Sequence, residues 1–119
     1  MASSLTLAAV EGGGTSFKVA VCRVDGEQTP IIIQRTEISS QNPQETLQQC
    51  ADFLATYKPR QGYHALGIAC FGPLGVNFDD RSTYGTVLKS SPKAAWRGVD
   101  VLTPLRQACH GSQTLAVRV

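Results

Sequence analysis

Apolar residues in this chain fall into short runs broken by glycine, proline and polar clusters, and the spacing inside each run predicts its structure. Runs at 5–10 and 17–22 are strand-length, and the second begins with polar–apolar alternation. Asp25-Gly26 is a hairpin signal leading to a third strand over 31–38. After a polar break at 39–41, Asn42-Pro43 reads as a helix cap with proline in the first turn, and Glu45 stands in capping-box position. Leu47, Cys50, Ala51 and Leu54 then recur with the period of a core-facing helix, which Pro59 stops. The apolar run 65–70 predicts a buried inner strand, joined to the sheet by an α–β crossover. Residues 71–98 have no periodicity and predict a long loop, a feature that is usually functional or mobile. Asp100 starts a second helix whose apolar face is Val101, Leu102, Leu105, Ala108 and Cys109, with Pro104 in the first turn and Gly111 past the end. A last strand is expected at 114–119. The order is β-β-β-α-β-loop-α-β, an α/β fold with a mixed five-stranded sheet.

Length and composition narrow the class. The chain has 119 residues, suited to one domain or half of a two-lobed protein, and 42% hydrophobic residues, enough for a packed core. A net charge of +2, scattered along the chain, argues against nucleic acid or an acidic membrane as partner. No apolar run reaches the length of a membrane span and no signal peptide is apparent. Cys22, Cys50, Cys70 and Cys109 are widely spaced inside apolar runs, which predicts four free thiols and a cytoplasmic protein. His64 and His110 are isolated and read as surface or capping residues rather than metal ligands.

The densest chemical signal is Glu11-Gly12-Gly13-Gly14-Thr15-Ser16 between the first two strands. Glycine there permits positive φ and close approach to the backbone, and exposed N–H groups in such a turn make a nest for an oxyanion. Thr15 and Ser16 add hydroxyls, and Glu11 adds a carboxylate suited to a place behind a bound metal ion. The same residues also suit an ordinary glycine-rich hairpin. They do not match the phosphate loop that ends in Gly-Lys-Ser/Thr.

Three blocks in order resemble one family. They are Glu11-Gly12-Gly13-Gly14-Thr15-Ser16-Phe17, then Leu66-Gly67-Ile68-Ala69-Cys70-Phe71-Gly72-Pro73, then Tyr84-Gly85-Thr86 with Ser91-Pro92-Lys93-Ala94-Ala95-Trp96. Together they resemble the N-terminal lobe of an actin-like, ribonuclease-H-like sugar kinase of the ROK family, in its fructokinase branch. The third block is the most specific. The resemblance implies transfer of the ATP γ-phosphoryl group to a hexose, with fructose favoured by that block, and Mg²⁺ as the accompanying ion. It implies that Gly13, Gly14 and Thr15 approach the ATP phosphates and that Glu11 stands beside the magnesium. It implies that Gly72, Pro73, Gly85, Thr86, Ser91, Pro92, Lys93 and Trp96 belong to the sugar side. Gly72-Pro73 also reads as a strand terminator, and Trp96 as a core filler.

Two departures from the family pattern carry consequences. Ser16 stands where the family has Lys, and Lys18, two residues on, lies on the same strand face. The family's catalytic Asp motif, second adenosine-side loop and zinc site have no counterpart here. Asp79-Asp80 reads as a solvated loop pair rather than a replacement base. The resemblance therefore implies one incomplete lobe spanning 1–119, inactive alone, whose partners are a sugar, ATP and either the missing C-terminal lobe or another copy. A non-catalytic remnant or pairing module is the alternative from a different class. One sheet face should be partly bare, with Leu5, Leu7, Val19, Val21 and Val117 as the expected exposed residues.

Overall fold

The computed structural model describes residues 4–119. Strands β1 (Ser4–Gly12), β2 (Ser16–Asp25) and β3 (Ile31–Ser39) form a meander, followed by helix α1 (Pro43–Thr56) and strand β4 (Ala65–Cys70). Helix α2 (Leu102–Cys109) and the short strand β5 (Ala116–Arg118) complete the chain. The sheet is mixed and five-stranded, in the order β3-β2-β1-β4-β5. β1 runs antiparallel to β2 and parallel to β4, so the crossover through α1 places β4 beside the first strand.

Local chemistry explains the element ends. The Asn42 side chain accepts the Glu45 N–H at 3.1 Å, and Pro43 opens α1. Thr46 is buried on the helical face with Leu47, Cys50 and Leu54, its hydroxyl donating to the Ser39 carbonyl at 2.6 Å. Asp100 accepts both the N–H and the hydroxyl of Thr103 at the start of α2. Gly26, at φ 61°, makes the β2–β3 turn. His64 Nδ1 accepts the Thr6 N–H at 3.0 Å, so this histidine caps backbone as expected.

Both helices pack on one sheet face. That face carries Ala8, Val10, Val19, Val21, Leu66 and Ile68 against Leu47, Cys50, Leu54, Leu102 and Leu105. Val19 and Val21 are thus core residues, contrary to expectation. Val10 pairs with Val19 and Leu7 with Cys22, so Leu5 and Leu7 lie on the opposite face from the two valines. Leu5 is 41% exposed there, and Val117, opposite Leu66, is half-buried. The edge strand β3 exposes Ile31, Ile32 and Ile33, and a register shift lies between β2 residues Val21 and Cys22. Among the described residues no helix is long and apolar enough to cross a membrane.

All four cysteines are free. Burial pushes the Cys50 and Cys109 thiols up to about 12 and that of Cys70 to about 11. An unfolded thiol ionises near pH 8.5. The unfolded chain therefore loses its protons first as pH rises, and stability present below about pH 8.5 declines toward pH 12. Thermal midpoints measured at pH 8, 9.5 and 11 should fall more steeply for the wild type than for the Cys50→Ala/Cys109→Ala double variant. Parallel curves would show that the thiols do not drive the decline.

Candidate functional site

The glycine turn hangs between β1 and β2, and its backbone is fixed from three directions. The Gly13 N–H donates to the Ser16 carbonyl at 2.8 Å, closing the turn. The Ser40 N–H donates to the Thr15 carbonyl at 3.1 Å. The Gly14 carbonyl accepts both the Ser40 hydroxyl at 3.1 Å and the Lys93 ammonium at 2.8 Å. The N–H groups of Gly14 and Thr15 have no hydrogen-bond partner among the described residues. Neither Gly13 nor Gly14 lies in the left-handed region. Close approach favours glycine at position 12, where a Cβ would sit 2.8 Å from Phe17 Cζ; one at Gly14 would sit 3.1 Å from Lys93 Nζ.

Residues 71–98 form the expected long irregular segment, tied together by isolated bridges and hydrogen bonds. Leu74 bridges Val87, and Thr86 bridges Asp100. The Leu88 N–H donates to the Pro73 carbonyl and the Val87 N–H to that of Val99. Ser91 is fully buried, its hydroxyl donating to the Gly72 carbonyl at 3.1 Å and accepting the Lys93 N–H at 3.2 Å. Arg97 Nε donates to the Ser91 carbonyl at 2.6 Å. Trp96, on the single 3₁₀ turn Ala94–Trp96, stacks on Phe17 with centroids 5.0 Å apart and donates its indole N–H to the Ser40 carbonyl at 2.9 Å. Phe71 meets both rings edge-on.

These contacts bring Gly14 and Thr15 together with Pro92, Lys93 and Trp96 around one hollow of about 360 Å³. Ser40 and Gln41 complete its wall, two residues that the sequence showed only as a polar break. Gly72 and Pro73 are exposed at the end of β4, tied to the hollow through Ser91. Gly85 and Thr86 lie elsewhere. Gly85, at φ 77°, packs against Leu102, where a Cβ would come within 2.3 Å of the Leu102 Cβ. Thr86 lines a separate hollow with Asp100 and Arg106.

Glu11 is exposed on the uncovered sheet face, in a hollow of about 750 Å³ shared with Lys18, Arg35 and Glu37. Its carboxylate has no hydrogen-bond or ion-pair partner among the described residues. Ser16 donates its hydroxyl to Glu37 at 2.5 Å, so position 16 brings no cation to the turn. Asp80 is solvent-exposed, and hydrogen bonds from Ser82 and Thr83 hold its carboxyl below the usual carboxylate range. No three His, Cys, Asp or Glu side chains among the described residues group to hold a metal ion.

A mixed sheet in this strand order, with a glycine turn after the first strand and helices crossing one face, defines the actin-like, ribonuclease-H-like lobe of sugar kinases. A hexokinase from Schistosoma mansoni complexed with glucose shares this fold, with a TM-score of 0.54, 18% identity and coverage of 98% of this chain and 29% of the hexokinase. The chain belongs to the ROK family, whose pattern matches residues 7–114. Among the curated relatives it matches are fructokinases. The fructokinase of Zymomonas mobilis is 32% identical over 101 residues, covering 83% of this chain and 32% of that enzyme. The fructokinase of Pediococcus pentosaceus is 33% identical over 102 residues, covering 86% of this chain and 32% of its own length. The chain thus spans about a third of the length of the curated relatives it matches.

The geometry separates residues that pack the core from residues that line the Lys93 hollow. Gly85→Ala combines positive φ with a clash on Leu102 and should cost more than about 1 kcal/mol. Trp96→Ala removes a buried ring and should cost about 3–5 kcal/mol. Thermal and urea unfolding measure both. A Gly85→Ala chain as stable as wild type would return this position to the list of ligand contacts.

Proposed function

We propose that the chain is the N-terminal lobe of an ATP-dependent hexose kinase, with fructose the favoured sugar, and that it does not turn over alone. The observation that carries this reading is the hydrogen bond from Lys93 to the Gly14 carbonyl. It joins the turn that resembles the family's phosphate loop to the block that resembles its sugar side, at one hollow.

In this reading ATP supplies the phosphoryl group. The Gly14 and Thr15 N–H groups receive phosphate oxygens, since backbone donors without internal partners suit an oxyanion. Glu11, an unpartnered carboxylate near the foot of the turn, suits a magnesium ion, which takes one or two carboxylates with phosphate oxygens and water. Gly72, Pro73, Ser91, Pro92 and Lys93 shape the sugar side. Phosphoryl transfer also needs a base for the sugar hydroxyl and exclusion of water. No carboxylate lines the Lys93 hollow to act as that base. The uncovered sheet face is where the rest of a full-length kinase would pack. Four free thiols fit a reducing, cytoplasmic setting.

A coupled assay with fructose, ATP and Mg²⁺ tests the inactivity. The expected result is no fructose-dependent ADP release above a Gly14→Val control, since loss of a general base costs ~10²–10⁴-fold. Turnover well above the control would refute it. Titration with ATP should move the Gly14 and Thr15 amide resonances, and unmoved resonances would refute the phosphate reading of the turn.

A further inference from the structure

We propose that Lys93 is a positioning residue for phosphate binding, acting through the Gly14–Thr15 peptide rather than touching the phosphate. The inference rests on the phosphate reading of the turn given above.

The one cis bond among the described residues is Gly72-Pro73, so the Gly14–Thr15 bond is trans. In a planar trans amide the C=O and the N–H point in opposite directions. The Gly14 carbonyl is held by the Lys93 ammonium at 2.8 Å and the Ser40 hydroxyl at 3.1 Å. The Thr15 N–H is therefore turned away from both, and it has no internal partner. Two anchors on the carbonyl fix which way the donor faces.

The ammonium does more than hold the plane. A charged donor on a carbonyl oxygen polarises the amide, so the N–H at its other end becomes a stronger donor. Position 16 supplies no cation, because Ser16 is bonded to Glu37. Lys18 stands opposite Glu11 in the strand register, on the uncovered face. Lys93 is thus the positive charge that reaches the turn, from 79 residues away in sequence.

Lys93 can be placed there because its own segment is rigid. Its N–H donates to the buried Ser91 hydroxyl at 3.2 Å, and its carbonyl accepts the Trp96 N–H at 2.9 Å. A Cβ at Gly14 would meet Lys93 Nζ at 3.1 Å, so a side chain at that position would press on the anchor.

The test uses the full 119-residue chain, labelled for amide and lysine side-chain NMR, and titrates it with sodium tripolyphosphate. In the wild type the Thr15 amide should move strongly, while the Lys93 Cε signals should show no direct contact with the ligand. Lys93→Met should weaken binding about tenfold or more, the range for losing a hydrogen bond to a charged group. It should also shift the free Thr15 amide proton toward weaker polarisation. Lys93→Arg should restore most of both, and Lys18→Met should change neither. Lys93 Cε signals that respond as strongly as the Thr15 amide would replace positioning with direct contact. Equal affinity in Lys93→Met would overturn any role for Lys93 while leaving the phosphate reading in place. A wild-type turn that ignores tripolyphosphate would overturn both. Should Lys93→Met fail to fold, the wild-type comparison of the Thr15 and Lys93 signals decides.

Discussion

The stacked pair Phe17 and Trp96 is the constraint on which the site depends. The rings lie 5.0 Å apart and nearly parallel, with Phe71 edge-on to both. These residues come from the start of β2, the position just past β4 and the 3₁₀ turn, so one aromatic cluster joins the hairpin to both ends of the irregular segment. The indole N–H satisfies the Ser40 carbonyl, and Ser40 in turn holds the glycine turn through its N–H and hydroxyl. Apolar packing and a chain of hydrogen bonds thus fix the same point. Lys93 lies three residues before Trp96, and its reach to Gly14 follows from where that ring is seated.

The same hairpin explains which predictions from sequence held and which failed. The three meander strands, the capped helix and the inner parallel strand are all local patterns, and each is present. Assignment of the sheet faces went wrong at the glycine run. β1 and β2 pair through Gly12 and Phe17, leaving four residues, Gly13 to Ser16, in the connection. An even connection makes odd positions of β1 face with even positions of β2, so Leu5 and Leu7 cannot share a face with Val19 and Val21. Three glycines carry no apolar or polar label, and the change of parity was invisible there.

Residues 71–98 form the long irregular loop that the lack of periodicity predicts, but their internal contacts were not legible. Their order comes from bonds between distant positions, such as Leu88 to Pro73 and Ser91 to Gly72, which leave no period in the sequence. Family resemblance marked the block without giving the role of each residue. The structure divides it. Gly85 serves the packing of α2, Trp96 serves both core and wall, and Ser91 is a buried strut. Ser40 bonds two carbonyls of the turn through two different donors, yet a lone serine in a polar break carries no signature in sequence.

Charge around the turn is arranged on two sides, and strand parity decides which residue serves which. Position 16 pairs with Ser39 on the strand edge, and its hydroxyl reaches Glu37, so it points to the face that carries Glu11 and Lys18. A lysine at 16, as in the family pattern, would project onto that face beside Glu11. Lys93 approaches from the other side, where Trp96 and Ser40 lie, and contacts a carbonyl. The two positions are therefore not equivalent: a lysine at 16 would stand on the Glu11 face, whereas Lys93 holds the Gly14 carbonyl from the opposite side. The Lys93 backbone is held by Ser91 and the 3₁₀ turn rather than by the hairpin strands. The turn in this chain keeps its shape and its donors while carrying less positive charge on the face where Glu11 stands.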